Sequence, residues 1–160
     1  MDTWIMDAQR RGGEMSQEMI ETTIRSFAEA FVKRDVEKTL SFLSEDAAWV
    51  APEGRFVGKD EIRRFLTWNS TRVQELSFMD AGFGIMVQGK KAVREYMLRG
   101  MTSGLRWEAP AVCVYEFSGD KIKYHRVYYD RLVVAKQAAK GWIPKRVMNA
   151  VVKAWEKGLR

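Results

Sequence analysis

Ile20, Ile24, Phe27 and Phe31 recur at intervals of four, three and four, which puts them on one apolar stripe of an α-helix. Ser16 suits the N-cap, and the stripe runs out near Arg34. Asp35 caps a second, shorter helix with Val36, Leu40 and Leu43 facing inward, and Ser44-Glu45-Asp46 closes it. Ala48-Trp49-Val50-Ala51 reads as a strand that ends at Pro52, a residue without an N–H for a ladder. Gly54 and Gly58 mark turns around Arg55-Phe56-Val57, and Ile62, Phe65 and Leu66 give Lys59 to Trp68 a helical period.

Beyond Asn69 the period shortens to two. Strands are predicted over Arg72 to Met79, Phe83 to Gln88, Ala92 to Arg99, Arg106 to Phe117 and Lys121 to Leu132. Asp80-Ala81-Gly82, Gly89-Lys90, Ser103-Gly104 and Gly119-Asp120 supply the turns between them. Val133 to Lys140 reads as a short helix stopped by Gly141, and Pro144 opens a last helix to about Lys157. Val147, Val151, Ala154 and Trp155 form the stripe of that last helix. Two helices, a strand, a third helix and then five strands, with tight turns between successive strands, make an antiparallel sheet covered on one face, an α+β class. The expected organisation is a loose segment over 1–13, one domain over 14–140 and a basic amphipathic helix over 141–160 that packs on the domain or extends from it.

Composition narrows the chemistry. With 160 residues, 46% hydrophobic and 30% charged, the chain has an ordinary globular balance and enough length for one self-sufficient core. Cys113 is the only cysteine and His125 the only histidine, which excludes a disulfide framework, a zinc finger and a hydrolase with two catalytic histidines. Apolar runs are far shorter than the ~20 residues of a spanning helix, and Met1 to Gly13 lacks the core of a signal peptide, so a cytoplasmic protein is the expectation. The net charge of +6 is concentrated between Lys140 and Arg160, where six basic residues face Glu156 alone. Nucleic-acid or membrane contact by that helix is the lesser reading. Gly82-Phe83-Gly84 lacks the third glycine of a dinucleotide fingerprint, and no acids cluster around a histidine, so neither a nucleotide cofactor nor a metal is expected.

Several segments carry a family resemblance. They are Phe27-Ala28-Glu29-Ala30-Phe31-Val32 leading to Arg34-Asp35, Leu43-Ser44-Glu45-Asp46-Ala47-Ala48-Trp49, Gly58-Lys59-Asp60-Glu61-Ile62, and Gly119-Asp120-Lys121-Ile122 running to Tyr128-Tyr129-Asp130. In order and spacing, about Met19 to Gln137 resembles the nuclear transport factor 2-like superfamily, with its SnoaL-like, ketosteroid isomerase-like and limonene epoxide hydrolase-like members. The resemblance implies a curved sheet wrapped by helices into a cone, a mostly apolar pocket for a small ligand in its open end, and a homodimer formed through the sheet. It also implies that no cofactor is needed.

Matched to the ketosteroid isomerases, Ala51 stands where the base belongs, Phe27 in place of the phenol and Cys113 in place of the second acid. That enzyme's proton transfer is therefore not available. Matched to the epoxide hydrolases, Arg94 keeps the arginine, whereas Tyr96 and Val127 replace the carboxylates and Trp49 and Ala51 replace the tyrosine and asparagine. No base remains to activate water by that route. The same matching, with strand alternation, implies that Arg94, Tyr96, His125, Val127 and Tyr129 lie on the pocket side. His125 is a candidate base or acid, Tyr96 a donor and Arg94 a holder of a carboxylate or enolate. The alternative is a satisfied structural histidine, with Arg94 paired to Glu108 or Asp130. Asp130 resembles the acid of SnoaL-like cyclases in its context, or else it caps the segment that begins at Arg131. Phe27, Phe31, Trp49, Trp68, Trp107, Cys113, Tyr115, Val127 and Tyr129 are the candidate ligand contacts, and the same rings would equally make a packed core. Isomerase or cyclase chemistry on a small carbonyl compound and a non-catalytic binding module both remain open.

Overall fold

Ser16 starts the first helix through its hydroxyl, which accepts the Met19 N–H at 3.2 Å. The computed structural model describes residues 15–139, 141–155 and 157, so the loose segment expected over 1–13 lies outside the described residues. In chain order the elements are α1 (Gln17–Val32), α2 (Val36–Ser41), β1 (Leu43–Ala51), β2 (Gly54–Val57), α3 (Lys59–Arg72), β3 (Glu75–Gln88), β4 (Lys91–Thr102), β5 (Leu105–Ser118), β6 (Lys121–Tyr129), α4 (Arg131–Ala138) and α5 (Trp142–Trp155). The α+β class is as the pattern predicts.

The six strands form one curved, open sheet in the order β2-β1-β6-β5-β4-β3. It is mixed, because β1 pairs parallel to β6 while every other pair is antiparallel. Local reading missed this pairing, since β1 and β6 are far apart in sequence. Register shifts between Asp80 and Ile85 on β3, and between Glu116 and Phe117 on β5, bend the strands.

Two local predictions are corrected by strand pairing. Ser44-Glu45-Asp46 belongs to β1 and does not end α2, because Leu43 already pairs with Ile122 of β6. Between the turns at Gly54 and Gly58, Arg55-Phe56-Val57 forms the short β2, held by Trp49 opposite Phe56. Arg72 closes α3, and the two strands expected on either side of Asp80-Ala81-Gly82 are one long β3 with a bulge. Gly82 makes that bulge possible: its φ is +52°, and a Cβ there would lie 2.0 Å from a Glu95 carboxylate oxygen.

The core lies between α1, α3 and the concave face, with Ile20, Ile24, Leu43, Ile62 and Ile122 fully buried. Val147 is 56% and Val151 38% exposed, so these two residues of the predicted stripe do not pack against the domain.

Candidate functional site

The concave face is not filled. A cavity of about 330 Å³, within the range of small-molecule sites, opens between α1, α3, α4 and the sheet. Its walls follow from strand alternation and helix faces. Phe27 and Phe31 come from α1, Trp49 from β1, Trp68 from α3, Trp107, Cys113 and Tyr115 from β5, and Val127 and Tyr129 from β6. Arg94, Tyr96 and His125 line the same space.

A polar cluster sits in the buried wall. Cys113 Sγ lies 3.2 Å from the Tyr96 hydroxyl and 3.3 Å from His125 Nε2. The register dictates this meeting. Cys113 pairs with Arg94 on β4 and with Val127 on β6, which leaves Tyr96 and His125 at the diagonal positions on either side. Aromatic rings enclose the imidazole: Trp49 edge-on at 4.3 Å between centroids, Phe27 edge-on at 5.1 Å and Tyr115 stacked at 4.9 Å. Burial lowers the His125 pKa to about 3. Burial also pushes the Cys113 thiol up to about 11, against the pull of hydrogen bonds from Tyr96 and Tyr115, and raises both phenols. The cluster is uncharged at neutral pH. His125 Nδ1 and Trp49 Nε1 are buried with no hydrogen-bond partner among the described residues.

Arg94 does not pair with Glu108 or Asp130. Its Nε and Nη2 reach Asp80 Oδ1 at 2.8 and 2.7 Å, and Arg25 of α1 takes the other Asp80 oxygen at 2.7 Å. The β3 bulge delivers Asp80 to that position, and Glu108 is engaged by Arg99 at 3.0 Å. Burial raises the Asp80 pKa, but the two arginines outweigh it and the net shift is downward. The guanidinium of Arg94 also lies over Phe78 and Tyr96, at 5.9 and 5.5 Å from their centroids.

Asp130 stands apart from the other sequence candidates. Strand β6 ends at Tyr129, and the Asp130 carboxylate accepts the N–H groups of Leu132 at 2.7 Å and Val133 at 3.3 Å, capping α4. It does not line the cavity. Trp68 does, but it is 43% exposed and belongs to the mouth, not to the interior.

The sequence reading missed Glu53, Arg72, Phe78 and Arg131, which also line the cavity. Glu53 sits in the two-residue turn between Ala51 and its partner Gly54, and its carboxylate accepts the Tyr129 hydroxyl. Burial first, and that hydrogen bond second, raise the Tyr129 pKa. Pro52 before it was the available turn signal, although a turn signal does not say which way the next side chain faces. Among the described residues no group of three or more His, Cys, Asp or Glu could hold a metal ion.

Against protein-family profiles, residues 24–125 match the SnoaL-like domain, which is more than half of the chain. The chain belongs to the SnoaL-like domain family. Solved structures of the nuclear transport factor 2-like fold agree with its architecture. One, from Burkholderia pseudomallei and of unknown function, superposes with a TM-score of 0.70 at 21% identity, over 79% of this chain and 100% of its own. A candidate SnoaL-like polyketide cyclase from Shewanella putrefaciens gives 0.67 at 18% identity, over 78% and 97%. A ketosteroid isomerase-like protein from Catenulispora acidiphila, crystallised with trimethylamine, gives 0.67 at 15% identity, over 72% and 91%. No curated protein matches the chain. The SnoaL-like match runs from Ile24 in α1 to His125 in β6, so α4, which closes one side of the cavity, and α5 lie beyond it.

Proposed function

We propose that this SnoaL-like protein binds a small, largely apolar carbonyl compound in its cavity and moves a proton on it, in the manner of an isomerase or cyclase. One observation carries the reading: aromatic walls converge on a buried, uncharged cluster of Tyr96, Cys113 and His125 that suits a neutral oxygen. The Tyr96 hydroxyl donates to the carbonyl oxygen, because its raised pKa keeps it protonated. His125, with a pKa near 3, holds position as a neutral ring and is a poor base at neutral pH. Asp130 is committed to its helix cap, which leaves Glu53 as the carboxylate that faces the cavity. Glu53 takes the proton from the carbon beside the carbonyl, the C–H electrons move into an enolate at the oxygen held by Tyr96, and the proton returns at carbon. Arg94 contributes the field of a charge already offset by Asp80.

The test uses 2-tetralone, an aromatic ketone with exchangeable α-hydrogens, in deuterium oxide. Wild type should accelerate α-hydrogen exchange seen by proton NMR, and Glu53→Gln should lower the rate at least about 100-fold, the usual contribution of a positioned base. Binding with no acceleration by wild type would select the second reading, a non-catalytic ligand-binding module, which the low pKa of His125 and the capping role of Asp130 favour.

A further inference from the structure

Outside the dry interior, the mouth of the cavity carries a different chemistry. Arg72 of α3 and Arg131 of α4 both line the cavity. Trp68 and Arg131 also line an adjoining shallow groove, together with Arg55 and Arg64, so three arginines border that groove while Arg72 borders the cavity on the Trp68 side. Arg72 lies over the Trp68 ring at 5.2 Å, and Arg131 donates to the Pro52 carbonyl at 3.0 Å. Among the described residues, Arg55, Arg72 and Arg131 have no carboxylate partner, and Arg64 meets Glu61 only at 4.0 Å.

Each of the two acids of the rim accepts one hydrogen bond. Glu53 accepts the Tyr129 hydroxyl, and Glu61 accepts the Val57 N–H at 2.8 Å. Four guanidinium groups against two carboxylates leave the rim cationic, directly above walls that offer no charge. Such a gradient orients an amphiphile: a neutral ring system gains by leaving water for the interior, while an anionic group gains most by staying at the rim, where planar forks meet it.

We propose that the ligand is an anionic amphiphile, a flat apolar body that enters the cavity and a carboxylate-like group at its outer end that is held by Arg72 and Arg131 at the rim. This rests on the cavity reading above and adds the charge and polarity of the substrate. A neutral compound of the same shape binds by its body alone. The rim also lengthens electrostatic capture, so association with the anion depends on salt.

Two fluorescent probes separate these parts: 1-anilinonaphthalene-8-sulfonate, which is anionic, and N-phenyl-1-naphthylamine, which is neutral and nearly the same shape. Both should bind wild type and lose binding in Val127→Trp, where the new ring fills the cavity. The double substitution Arg72→Gln and Arg131→Gln should weaken the anionic probe at least ten-fold and leave the neutral one within two-fold. Raising the salt concentration should weaken only the anionic probe. Should that double variant fail to fold by circular dichroism, the exposed pair Arg55→Gln and Arg64→Gln is compared in its place, with a several-fold loss expected for the anion. Equal responses of the two probes to the rim variants overturn the proposal while leaving the cavity reading in place. Failure of the neutral probe to bind wild type overturns the cavity reading itself, and binding that survives Val127→Trp overturns both.

Discussion

His125 sits on the cavity wall, but its surroundings come from three elements other than its own. Its position on the pocket side of β6 follows from two-residue alternation, and the structure puts it on the cavity wall. The sequence could not show the three rings around it, which come from α1, β1 and β5. Because its pKa falls from 6.5 to about 3 on folding, the unfolded chain binds a proton between those values and the folded one does not. Above pH 6.5 the two states bind equally, and stability is lost as pH drops through that window, by about 1.4 kcal/mol per unit from this residue. Urea denaturation at a series of pH values should show a steeper loss of stability in wild type than in His125→Asn, the difference reporting this residue, whereas equal slopes would place the imidazole in contact with water. Arg94 shows the complementary limit. Its pocket side was legible, but its partner was not, because Asp80 arrives through a bulge that sequence punctuation presented as a turn.

Elements read from short-range patterns were legible where the signal itself was short-range. The caps of α1 and α2 and the Gly119-Asp120 turn are of that kind, and each stands where the sequence puts it. What failed depended on partners far along the chain: the parallel β1–β6 pair, the strand character of Ser44 to Asp46, and the continuity of β3. Gly100 shows what strand pairing decides at a single position. It lies in β4 opposite Trp107 of β5, and a Cβ there would come within 2.3 Å of the Trp107 ring. The ring folds over the glycine and is fixed by its Nε1–H bond to Thr102 Oγ1 at 3.0 Å. Gly100→Ala should therefore cost about 1–3 kcal/mol by overpacking in urea titrations followed by tryptophan fluorescence. A loss below about 0.5 kcal/mol would mean that Trp107 moves aside freely and does not form a fixed cavity wall.

At the scale of the whole molecule, charge and polarity are sorted by depth. The buried wall is aromatic and neutral, Arg94 is offset by Asp80, and guanidinium groups gather at the mouth. Composition predicted the aromatic interior but not this layering, since Arg55, Arg64, Arg72 and Arg131 come from separate elements that only the fold brings together. The basic α5 is a second place where composition and structure part, with its charge legible and the exposure of Val147 and Val151 not. The proposed function puts a carbonyl compound in the open cone, held at the Tyr96–Cys113–His125 cluster. A crystal structure grown with 2-tetralone tests it. The rings should lie between the aromatic walls, with the carbonyl oxygen within hydrogen-bonding distance of the Tyr96 hydroxyl. Side chains collapsed into an empty-ligand interior, or the ketone bound elsewhere, would contradict it.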